Sequence, residues 1–223
     1  MNTGPAGPLV RDPAEAGGSS MPAAFVIAIL GAESTAATSL ADRLGQALMA
    51  KGRRVVVVPD ALHEFRERHQ RAPVHDELPQ VAREQTHRIE AAAATHGVVV
   101  SAATALTIAV HNERVFGDVS LYPEALAAHR GIQLTLLHAL DVPPPSVDSE
   151  RTDALSRSAL LRAGCGYSVI AGRAQDRLAA AVKAVRHALQ EPDEEALPTR
   201  ARWQWVCERC SDADCERHLL ARG

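Results

Sequence analysis

Apolar and polar positions alternate along the chain in blocks. Short apolar runs closed by turn-forming residues fall at residues 25–30, 54–58, 97–101, 134–139 and 167–171, as buried strands require. Between them lie stretches with helical period. Residues 38–51 put Leu40, Leu44, Ala47 and Leu48 on one face; residues 81–94 behave similarly, and residues 174–190 align Leu178, Val182, Val185 and Leu189. Short strands alternating with helices predict an α/β fold, a doubly wound, mainly parallel five-stranded sheet flanked by helices. Sheets of this kind bind ligands beyond the carboxyl ends of their strands, and for the first strand that position is the turn at Gly31.

The ends of the chain differ from this middle. Residues 1–22 are rich in Gly, Pro and Ser and read as a disordered leader, with Met21 an alternative start. Residues 23–190 form the folded unit, residues 191–202 are acidic and then Pro-containing and read as a linker, and residues 203–223 form a tail. That tail holds both tryptophans and three of the four cysteines. The leader has no basic region followed by an apolar run, so it is no signal peptide, and no segment approaches the roughly 18 to 20 apolar residues of a membrane helix. Clustered cysteines fit a metal site better than a secreted disulfide frame, which points to the cytoplasm. A net charge of −3 and a pI near 6.4 give no nucleic-acid footprint.

Candidate chemistry begins where the first strand ends. The phosphate-binding pattern G-x-x-x-x-G-K-[ST] finds Gly31, four residues, then Ala36, Ala37 and Thr38. The candidate loop is therefore Gly31, Ala32, Glu33, Ser34, Thr35, Ala36, Ala37, Thr38 and Ser39. Backbone N–H groups, the helix dipole and the Thr38 hydroxyl remain available for ATP and Mg²⁺, but Ala37 supplies no charge. The same residues also read as a plain strand-to-helix turn. Only two of the 24 basic residues are lysine, Lys51 and Lys183, and neither is near enough in sequence to stand in.

Seven segments in order (IAILGAEST, VVVPD, AREQTHRI, VVVSAATAL, FGDVSLYPEALAAHR, LTLLHALDVP and GYSVIAG) resemble the NadR-like family of P-loop kinase domains, also described as AAA-type, over about residues 24–189. The resemblance implies an ATP-binding core that phosphorylates a small substrate of the nicotinamide riboside type. It places Asp60, after the second strand, where an acid would orient or deprotonate the acceptor hydroxyl; as a bare residue, Asp60 reads equally as a helix cap. Three departures stand out: the Gly-Lys pair is Ala36-Ala37, the metal-orienting aspartate is replaced by Ser101-Ala102-Ala103-Thr104, and the lid after Leu140-Asp141-Val142-Pro143 is shortened at Pro144-Pro145-Ser146. Phosphoryl transfer rests on positioning and charge, so the resemblance implies a degenerate, pseudokinase-like member that acts by binding a small nucleotide or a protein partner.

Two alternatives remain. One is an active kinase with a substitute cation such as Arg43. The other is a zinc-stabilised interaction module on an inert scaffold, in which Cys207, Cys210, Cys215 and His218 hold the metal; the same thiols read equally as reduced and metal-free. The Arg-rich stretch with Arg66, Arg68, Arg71, Arg83 and Arg88 reads as an anion site or as a solvated face paired with Glu64, Glu67 and Glu84.

Overall fold

The computed structural model describes residues 24–32, 34–141 and 145–191. The leader (1–22), the linker beyond Glu191, and the tail with its Cys207, Cys210, Cys215 and His218 lie outside the described residues. So do Glu33 of the candidate loop and residues 142–144 of the segment expected to form a shortened lid.

The chain runs β1 (Phe25–Leu30), α1 (Ser34–Ala50), β2 (Val55–Val58), α2 (Ala61–His69), a 3-10 turn (His75–Glu77), α3 (Leu78–Ala93), β3 (Val98–Ser101), α4 (Ala105–Phe116), α5 (Tyr122–His129), β4 (Leu134–His138), α6 (Val147–Ala163), β5 (Ser168–Ile170) and α7 (Ala174–Ala188). All four strand pairings are parallel, in the order β2-β3-β1-β4-β5. The mainly parallel sheet expected from the sequence is therefore wholly parallel among the described residues. β1 is the central strand, and the turn at Gly31 opens at the middle of the carboxyl rim.

Period-two alternation divides the core between the two faces of the sheet. Ile27, Ile29, Val98, Val100 and Leu136 pack against α1 and α7, where they meet Leu40, Leu44, Leu48 and Val185. Leu30 and Leu137 face the opposite layer, built from α2 to α6 with Leu78, Leu106, Ile108 and Leu160. Each fully buried Leu or Ile contributes about 1.5–3 kcal/mol. Gly45 lets α1 lie directly on β2, since a Cβ there would sit 2.5 Å from Val57 Cγ2.

Two helices bridge β3 and β4, where the sequence pattern marks no boundary. α4 ends at Gly117, whose φ of 71° is the left-handed conformation that glycine adopts without strain. The chain then reverses into α5. Among the described residues, no helix is long and apolar enough to cross a membrane.

Candidate functional site

The carboxyl rim gathers the candidate residues. β1 delivers the chain into Gly31 and Ala32, both half-buried, and α1 starts at Ser34. Among the described residues, the first turn of α1 carries no acidic side chain, so its N–H groups and helix dipole present a positive end to the rim. Thr35 and Ser39 are exposed and Ala36 is half-buried. Ala37, at the lysine position, is only 2% exposed and packs in the core with Ile27, Ile29 and Leu40. One residue on, Thr38 Oγ1 is buried and has no hydrogen-bond partner among the described residues.

At the end of β3 the polar groups are already committed to each other. Gln85, from α3, is fully buried. Its Nε2 donates to Pro59 O (3.2 Å), Ser101 Oγ (3.2 Å) and Ala103 O (3.1 Å), while its Oε1 accepts from Ala61 N (2.7 Å). The Ser101 hydroxyl donates to Ala103 O at 2.5 Å. One glutamine thus ties the ends of β2 and β3 together, and Ser101 belongs to that knot.

Asp60 is 3% exposed and caps α2: its Oδ1 accepts from Leu62 N at 2.8 Å and His63 N at 3.2 Å. Burial raises its pKa, and the two backbone donors oppose that rise. Capping is the work its contacts show.

At the ends of β4 and β5 a second polar group forms. Arg177, in the first turns of α7, reaches His138 Nε2 with Nη1 (3.1 Å) and forms an ion pair with Asp141. The other Asp141 carboxylate oxygen accepts from Gly172 N. Arg177 Nε is buried without a hydrogen-bond partner among the described residues. Arg43 donates from Nη1 to Ala174 O (2.8 Å), fastening α1 to α7.

The Arg-rich stretch divides in two. Arg88 holds Glu64 (2.5 Å) and Glu84 (2.7 Å), and Arg71 holds Glu77 (2.6 Å), which makes most of it a paired, solvated face. Arg66 departs from that pattern. Its charge bears on Asp60 and, together with that of Arg114, on His111, whose pKa is pushed down to about 4 first by burial and then by the two arginines. Arg114 Nη2 lies 3.5 Å from His111 Nδ1 and Nη1 pairs with Asp148 at 3.1 Å.

These residues fit a phosphate group better than a metal ion. The α1 N-terminus and the orphaned Thr38 hydroxyl can receive anionic oxygens. Among the described residues, the rim carboxylates are engaged elsewhere, Asp60 on α2 and Asp141 on Arg177. Among the described residues, no group of three or more His, Cys, Asp or Glu could hold a metal ion. Gln85, His138, Arg177 and His111 were not singled out as site residues from sequence; long-range convergence on one rim leaves no local spacing to read.

No family model matches the chain, and no curated protein matches it. Among solved structures, the fold is similar to a crystal structure of NadR protein in complex with NAD and AMP-PNP, with a TM-score of 0.64 and 15% sequence identity. The alignment covers 77% of this chain and 51% of that one, so this chain spans about half the length of its structural neighbour. At this identity the likeness establishes a P-loop NTPase-like α/β fold.

Proposed function

We propose that this chain is a NadR-like nucleotide-binding protein that holds phosphate at the α1 N-terminus and has lost efficient phosphoryl transfer. The observation that carries this reading is the pairing of Ala37, sealed into the core where a lysine is needed, with the buried and unpartnered hydroxyl of Thr38. The anchor for a phosphate persists while the charge that drives chemistry does not. Removing one preorganised charge-stabilising group costs roughly 10²- to 10³-fold in rate. The missing lysine and the Ser101 hydroxyl, engaged with Gln85 and Ala103, remove two such groups together. The nucleotide-bound neighbour supports the choice of ligand class, and the ligand acts here as a bound signal or structural element.

Mg-ATP titration by calorimetry tests this, on the chain beside its Ala36→Gly, Ala37→Lys version, with phosphoryl transfer to a nicotinamide riboside-type acceptor followed in parallel. The expected result is weak binding without turnover in the chain, and tighter binding in the restored version. Turnover by the unaltered chain at rates of order 1 s⁻¹, in the range of working kinases, would overturn the proposal.

The active-kinase alternative has one feature in its favour. Arg177, rather than Arg43, is the arginine at the strand-end rim with an unpartnered buried N–H. If Arg177 substitutes for the lysine, Arg177→Ala abolishes a measurable phosphoryl transfer.

A further inference from the structure

Away from the carboxyl rim, α3 and α5 stand apart over the sheet and leave a cavity of about 200 Å³. Small apolar residues such as Ala93, Ala125, Ala128 and Gly131 make much of its wall, and Thr86, Thr104 and His129 add polar atoms to it. It opens beside an apolar patch at the amino-terminal rim, where Ala24, Val56, Ala92, Ala93 and Ile132 are only half covered. Glu90 also lines it and has no ionic partner among the described residues. A cavity of about 150 Å³ with apolar walls already takes benzene, so this one suits a flat aromatic ring entering beside a cation.

The chain supplies such a group nearby. Contacts lead from the last described residue to the cavity: Glu191 pairs with Arg53, the adjacent Arg54 donates from Nη2 to Thr95 O at 3.2 Å, and Thr95 follows cavity-lining Ala93 by two residues. Beyond Glu191 the sequence continues through residues 192–223 and includes Arg202-Trp203-Gln204-Trp205. Trp203 is the twelfth residue after Glu191, and at about 3.3 Å per extended residue that reaches about 40 Å. The leader also enters at this rim, through Ala24, but residues 1–23 contain no aromatic residue.

We propose that the Arg202–Trp205 segment of this chain docks on the amino-terminal rim, with one indole in the α3–α5 cavity and Arg202 against Glu90. The docked indole completes the apolar patch on the side of the sheet opposite the phosphate loop. The tail is then part of the domain's own core. This is independent of whether nucleotide binds.

Both tryptophans of the chain lie in the tail, so intrinsic tryptophan emission from the full-length protein reports on the tail alone. The expected result is blue-shifted emission, poorly quenched by iodide, that moves to the solvent-exposed position when Ala128→Phe fills the cavity, with far-UV circular dichroism unchanged. Quenching should rise severalfold. Should Ala128→Phe fail to fold, Glu90→Arg decides: it should expose the indoles, and adding Arg202→Glu should bury them again. Solvent-exposed emission in the unaltered protein overturns the proposal, as it would if the leader or another molecule held the cavity. Buried emission that no cavity or Glu90 variant changes overturns it equally, because the indoles would then be covered elsewhere.

Discussion

His129 should make this protein acid-sensitive by a calculable amount. It ends α5 at 1% exposure, between Thr104 Oγ1 (3.3 Å from Nδ1) and Thr135 Oγ1 (3.0 Å from Nε2). Burial alone pushes its pKa down to about 4, against an ordinary value of about 6.5. The unfolded chain therefore takes up a proton as pH falls below 6.5, while the native protein resists until about 4. More protons on the unfolded state means that stability rises with pH across this window and is lost as pH falls through it. At pH 5 the unfolded imidazole is almost fully protonated and the native one about one-tenth so, a difference of about 2 kcal/mol. Against a typical domain stability of about 5–15 kcal/mol, that is a large share.

Urea unfolding near pH 7.5 and near pH 5 would measure this in the unaltered protein and in His129→Gln, which can still hydrogen-bond the threonines but cannot titrate. The unaltered protein should lose about 2 kcal/mol more than the variant over this interval. His111, also pushed down to about 4, acts in the same direction but is present in both proteins and cancels in the comparison. Equal pH dependence in the two proteins, or a His129 NMR titration midpoint near 6.5, would refute the reasoning.

Other perturbations probe the rim. Gln85→Leu leaves Ala61 N–H and Ser101 without their partner and should cost about 2–4 kcal/mol by chemical denaturation. Asp60→Ala should lose about 1–2 kcal/mol with the α2 cap, and Asp60→Asn, which keeps a capping oxygen, should recover most of it in thermal unfolding. The His75–Asp118 contact (2.8 Å) clips the turn before α3 to the α4–α5 turn, with the His75 pKa raised first by Asp118 and then by Asp76. A raised histidine holds its clip at low pH and releases it as pH rises through its native pKa. Amide exchange in residues 75–78 should therefore quicken, beyond its intrinsic pH dependence, as pH rises past the ordinary histidine range, and Asp118→Asn should remove that extra response.

The strands were legible because each is a short apolar run bounded by turns, with β1, β3 and β4 buried on both faces, so their expected limits differ from the observed ones by a residue or so. Helices with one wet face, α1, α3 and α7, showed their period. α4 did not: Ala105, Leu106, Ile108, Ala109, Val110 and Asn112 are all buried because α3, α5 and α6 surround it, and a helix covered on most sides shows no clear stripe. That the first strand ends in a turn at Gly31 and a helix carries Thr38 could be read from the sequence. The environments of Ala37 and Ser101 could not, since both are set by how helices pack on the sheet.

On the proposed reading, these contacts bear on whether single changes at the rim could give phosphoryl transfer. A lysine at Ala37 would have to route its stem out of a seam formed by Ile27, Ile29 and Leu40. An aspartate at Ser101 would replace a hydroxyl that donates to Ala103 O at 2.5 Å with a carboxylate facing that same carbonyl, two acceptors in contact and no donor between them. Gln85 could satisfy one new oxygen only by weakening its hold on Pro59 or Ala103. The polar groups at the ends of β2 and β3 now serve the fold, so an isolated Ser101→Asp should destabilise the protein without restoring phosphoryl transfer. Recovery of both stability and turnover should require Gln85 and Ser101 to change together, and a double-mutant cycle showing the two sites additive would sink this view.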